Sequence, residues 1–143
     1  MLDEAEYQRW RESAADAAEQ AAAQRHGASY HWACFLAEQA AQFALKALLH
    51  GIGRPAWGHD LPELGQRFTA ALDEELAPPV HEALLRLSRY YIASRYPDAH
   101  PSGTAKGHYS GSDADQAIAD TALVFALLDG RWRELQAADH DGS

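Results

Sequence analysis

The segment from residue 29 to residue 50 sets the architecture. Trp32, Phe35, Leu36, Gln39, Phe43, Leu45 and Leu48 are spread around a helix rather than along one narrow stripe. A helix that is apolar over most of its circumference has to be packed on several sides. The segment therefore reads as the central helix of a bundle, with Ser29 able to cap its start and Gly51 able to end it.

Four more helices surround it in sequence. The first spans residues 3–25, with Asp3 as N-cap, Gly27 as stop and a stripe of Tyr7, Trp10, Ala14, Ala17 and Ala21 at spacings of three and four. A loop rich in Gly51, Gly53, Pro55 and Gly58 follows, and Asp60 then caps a short third helix over 61–72. Pro62 fits its first turn, where the missing N–H is not needed. Pro78-Pro79 opens a fourth helix carrying Leu84, Leu87, Tyr91 and Arg95, which Pro97 ends at about residue 96. Residues 97–112 form a long loop without apolar periodicity, and such loops are often functional. Ser112 or Asp113 caps the fifth helix, which runs to about residue 135 with a stripe of Ile118, Ala122, Phe125, Leu128 and Trp132. Gly130 interrupts it as a possible kink. No stretch reads as a strand. The expectation is an all-α, up-and-down bundle of four to five helices, one domain over residues 1–136 with a disordered tail at 137–143.

Charge narrows the function. Twelve Lys and Arg stand against 21 Asp and Glu, a formal net charge of −9. Proteins that hold nucleic acid by general attraction to phosphate are usually basic. Any contact with RNA or a nucleotide must then come from a local cationic cluster. The single cysteine, Cys34, excludes an internal disulfide and reads as a buried thiol. No apolar run is long enough to span a bilayer, and the acidic start lacks a signal-peptide pattern, so the cytoplasm is the expected location.

The local cluster exists. Residues 86–109 contain Arg86, Arg89, Arg95 and Lys106 against Asp98 alone, interleaved with Tyr90, Tyr91, Tyr96, His100, His108 and Tyr109. Arg95 continues the apolar stripe of its helix, so its guanidinium needs a phosphate, carbonyl groups or a carboxylate such as Glu38. His100, just past the helix end, can move protons near neutral pH. An Arg that grips phosphate and a His that exchanges protons are the parts for metal-independent attack of a ribose 2′-OH. Arg89, Tyr90, Tyr96 and Lys106 are the candidate substrate contacts. A metal held by His100, His108 and Asp98 or His59 has no ligand geometry fixed by these loops, and neither metal nor cofactor is expected. Gly51-Ile52-Gly53 lacks the spacing of a phosphate loop.

Several segments together resemble the HEPN family of bacteria and archaea. They are Tyr30-His31-Trp32-Ala33-Cys34-Phe35, Glu38-Gln39-Ala40-Ala41, Ala44-Leu45-Lys46-Ala47-Leu48-Leu49, Gly58-His59-Asp60-Leu61, Arg89-Tyr90-Tyr91 and Arg95-Tyr96-Pro97-Asp98-Ala99, with Tyr109 before an acidic helix start. The resemblance implies a helical bundle, commonly a homodimer. Many members are ribonucleases with an Arg, four to six residues and a His, which Arg95 and His100 match. Many are toxins paired with a minimal nucleotidyltransferase antitoxin. Tyr96 and Pro97 depart from the active motif, and Ser102 stands where some toxins carry a modified Tyr. The resemblance therefore implies two classes: a toxin-type endoribonuclease, or a non-catalytic module that binds a nucleotide or docks a nucleotidyltransferase.

Overall fold

A computed structural model describes residues 1–142. It contains helices α1 (Glu4–His26), α2 (Tyr30–Gly51), α3 (Leu61–Leu72), α4 (Pro78–Ser88), α5 (Tyr90–Ala93) and α6 (Gly111–Asp141), with 3-10 turns at Pro97–Ala99 and Ala105–His108. Among the described residues there is no strand. The fold is an all-α, up-and-down helical bundle, and none of its described helices is long and apolar enough to cross a membrane.

Local chemistry places most helix ends. Asp3 Oδ1 accepts the Glu6 N–H at 3.0 Å, and Asp60 Oδ1 accepts that of Glu63 at 3.2 Å. Ser29 occupies the N-cap of α2 without a side-chain bond. The last helix starts earlier than its pattern suggests. Ser110, not Ser112 or Asp113, is the cap, and it exchanges bonds with Asp113 in a capping box. Gly130 does not interrupt α6, which continues through residues 137–141, expected as tail. Ser143 lies outside the described residues.

α2 is the centre of the bundle and packs against α1, α3, α4 and α6. Its buried surface is made largely of Ala33, Ala37, Ala40, Ala41, Ala44 and Ala47 with Leu45, Leu48 and Leu49. The bulkier residues that mark it in sequence lie outward: Phe35, Leu36 and Phe43 are half-buried and Trp32 is exposed. Alanines on α2, with Ala14, Ala17 and Ala21 of α1, let two backbones approach closely, which displaces the large rings to the margins. The buried stripe of α6 is rotated for the same reason: Ala114, Ala117, Thr121 and Val124 face inward, while Ala122 is exposed.

Polar ties lock the helices. Arg11 of α1 forms a two-bond pair with Asp129 of α6 at 2.8 and 2.9 Å. Arg86 of α4 does the same with buried Asp120 of α6 at 2.9 and 2.8 Å. Where α1, α2 and α6 meet, Tyr7 stacks on Trp132 with ring centres 3.9 Å apart. Gly51 has no room for a side chain there, since a Cβ would lie 2.5 Å from Trp132 Cζ3.

Candidate functional site

The fourth helix of the sequence reading is two pieces. α4 ends at Ser88, α5 is a single turn from Tyr90 to Ala93, and Arg95 lies beyond it in a turn. The break has local causes. The Ser88 hydroxyl donates to the Leu85 carbonyl and the Ser94 hydroxyl to the Tyr90 carbonyl, both competing with helical bonds. Pro97 then forces Tyr96 into extended backbone at φ −100° and ψ 126°.

Arg95 does face packing, against rings rather than a carboxylate. Its guanidinium carbon lies 4.2 Å from the Phe35 ring centre, 4.9 Å from Tyr91 and 5.1 Å from Tyr96. Its Nε and Nη2 groups both donate to the Tyr91 carbonyl. Glu38 forms no ion pair with it; Glu38 is fully buried and accepts from Gln39 Nε2 at 2.8 Å and Gln42 Nε2 at 2.5 Å. Burial pushes the Glu38 carboxyl up to about 7, against the opposing pull of those amides and of the charges on Arg95 and Lys46.

His100 belongs to a different cluster. Its Nε2–H donates to the Ala93 carbonyl at 2.6 Å, and its ring stacks on His108 at 4.2 Å and meets Tyr109 edge-on at 5.9 Å. His108 donates in turn to the Ser102 carbonyl at 2.5 Å. Tyr90 also joins Tyr109, at 5.8 Å, and burial raises both phenols to about 12. The sequence motif thus divides: Arg95 and Tyr96 sit with Phe35 and Tyr91, whereas His100 and Tyr90 sit with His108 and Tyr109. Arg95 and His100 share no hydrogen bond or ring partner. Lys106 is exposed, and its charge adds to desolvation in lowering His31.

Of the cationic cluster, Arg86 is occupied by Asp120 and Arg95 by the rings. Arg89 is exposed, and among the described residues its side chain meets no hydrogen-bond or ion-pair partner. It lines an open cleft of about 550 Å³ with His59, Asp60, Pro62, Ser88, Tyr91 and Ile92. His59 stacks on Tyr91 at 5.0 Å and 16°, and its Nδ1 is 3.3 Å from Gln42 Oε1. Sequence reasoning takes His59 as a helix marker or possible ligand and Tyr91 as core. Arg89, expected as a substrate contact, and the Gly58-His59-Asp60-Leu61 and Arg89-Tyr90-Tyr91 resemblances were the signals that pointed to this corner. Among the described residues, no three His, Cys, Asp or Glu side chains gather closely enough to hold a metal ion.

Fold and site together define a small helical-bundle domain with an arginine-rich aromatic face beside an open cleft. The HEPN domain model matches residues 7–131, most of the chain, and the chain belongs to that family. TT1696 from Thermus thermophilus is similar at 36% identity and a TM-score of 0.80, covering 87% of this chain and 96% of that one. ST0689, described as an archaeal HEPN homologue, is similar at 27% identity and a TM-score of 0.74 with the same coverage. A HEPN domain protein of Thermotoga maritima, TM0613, shares the fold at 24% identity and a TM-score of 0.69, over 87% and 98% of the two chains. No curated protein matches.

Proposed function

We propose that this chain is a non-catalytic HEPN module that binds a phosphorylated nucleotide in the cleft, works beside a minimal nucleotidyltransferase and pairs with a second copy of itself. One observation carries this reading: the unengaged Arg89 guanidinium borders the same cleft as the Tyr91–His59 stack. A guanidinium suits phosphate, and the exposed polar edge of the stacked His59 ring suits the edge of a base. The family's pairing with nucleotidyltransferases makes ATP the first ligand to test. Titration calorimetry with ATP is expected to give saturable binding to the intact chain. Loss of a charge-assisted contact in Arg89→Ala should weaken it roughly ten- to a hundredfold. No binding by the parent overturns the reading.

A second reading is the toxin-type endoribonuclease. It is favoured by the state of His100, whose Nε2 is held by the Ala93 carbonyl while Nδ1 has no hydrogen-bond partner. In this reading Arg95 and His100, which sit in separate clusters of one chain, act together with those of a second copy. Its signature is RNA cleavage that persists in EDTA and falls about a hundred- to ten-thousandfold in His100→Ala. A parent protein that leaves RNA intact when freed of any partner removes this reading.

A further inference from the structure

The cleft is wired to a buried carboxylate, and while that carboxylate is ionised the wiring fixes the proton on His59. Glu38 lies inside the bundle with each oxygen engaged by an amide nitrogen, Gln39 on Oε1 and Gln42 on Oε2. An ionised carboxylate only accepts. Gln42 must therefore turn its NH2 toward Glu38, which leaves its carbonyl oxygen for His59 Nδ1 at 3.3 Å. A carbonyl also only accepts, so Nδ1 carries the proton. In a neutral imidazole the other nitrogen, Nε2, is then an acceptor. His59 is exposed, and its Nε2 engages none of the described residues.

The neighbouring polar groups share this polarity. Asp60 keeps one oxygen after Oδ1 caps Glu63, and the Ser88 hydroxyl has already given its proton to the Leu85 carbonyl. The His59 side of the cleft thus offers acceptors, and among the described residues that line the cleft Arg89 is the one Lys or Arg. A phosphate oxygen would meet repulsion at His59 Nε2, whereas an N–H edge would be matched there.

We propose that His59 is a specificity-determining residue whose Nε2 accepts the exocyclic amine of a nucleotide base, with Gln42 as the positioning residue that holds its tautomer. The inference rests on the cleft being a nucleotide site. It selects adenine over hypoxanthine, since adenine presents an amine at the position where hypoxanthine presents a carbonyl.

The test compares ATP with ITP, which share ribose and phosphates, by titration calorimetry at pH 8.5, above the Glu38 titration. The parent should bind ATP roughly tenfold more tightly than ITP. His59→Phe keeps a ring against Tyr91 and removes the acceptor. Gln42→Leu cuts the relay and leaves His59 in place. Both should bring the ATP-to-ITP ratio to within about twofold while ITP affinity is kept. His59→Phe is a surface change, so the test stands even where Gln42→Leu does not fold. Equal affinities in the parent, or full discrimination in His59→Phe, overturn the assignment while the nucleotide site stands. Binding of neither nucleotide removes the site and the assignment together, and intact ATP binding lost in Arg89→Ala marks the first case from the second.

Discussion

Glu38 shows how far a single residue can depart from what its position in sequence suggests. Sequence offers it as a partner for Arg95, yet it is satisfied by two amides of its own helix. Burial lifts its carboxyl from 4.5 to about 7. The folded chain then holds a proton that the unfolded chain has lost, between pH 4.5 and 7. Its contribution to stability is present below pH 4.5 and is lost as pH rises through about 7, by an amount on the order of 3 kcal/mol. Glu38→Gln removes this titration. Urea unfolding at pH 5 and pH 8 should show the parent losing roughly 2–3 kcal/mol relative to the variant. His31 and His50, lowered chiefly by burial, push the other way, but they are common to both proteins and cancel in the difference. Equal losses in the two proteins would show that Glu38 is charged without penalty. Arg95 was legible in direction only: its place on an apolar stripe said that it packs, and the ring faces and the Tyr91 carbonyl that receive it come from two segments.

At the level of elements, caps and breakers were easy to read and helix faces were not. Asp3, Asp60, Pro62 and Pro78 act within one turn of chain, so sequence placed α1 and α3 almost to the residue. The split between α4 and α5 escaped because Ser88 and Ser94 carry no apolar signal, and their hydroxyl bonds compete quietly with the helix. Their effect on the site is large. A continuous helix would have kept Arg95 on the stripe of Leu84 and Leu87; the break sets Arg89 at the cleft and Arg95 on Phe35. In α2 the pattern of large side chains pointed correctly to a central helix, and Leu45 and Leu48 are core, but the rings and Leu36 lie at its margins. Close helix pairs are chosen by the smallest residues, because interaxial distance falls with side-chain size. The eye follows Trp32 and Phe43, whereas the packing follows Ala37, Ala41 and Ala44.

For the whole molecule, the displaced rings leave a face. Trp32, Ile92 and Tyr96 are exposed at 43, 50 and 50%, all near Phe35 and Arg95. Large apolar side chains gathered on one side of a small bundle mark an interaction surface. The proposed pairing of two copies through the α5 side uses this face. Light scattering after gel filtration should give about twice the mass of a 15.7 kDa chain. Replacing Ile92 and Tyr96 together by Asp should return the single-chain mass with helical content unchanged. A parent that stays single at high concentration would leave the face to a different partner, and with it any ribonuclease site shared between copies.

The residues alone determined that this chain is a helical bundle with α2 at its centre and a HEPN pattern along most of its length. Caps, prolines and apolar spacing are local signals, and they suffice for the order of the helices and for every long one, though not for the single turn α5. Which cations remain open was decided only in three dimensions. Sequence set Arg95 apart only as a residue that packs and did not tell Arg86 from Arg89, yet one is bound by Asp120, one borders a cleft and one is laid on aromatic rings. The partners come from α6, the start of α3 and α2, far along the chain, and a charge has no periodicity that would reveal which distant group it meets.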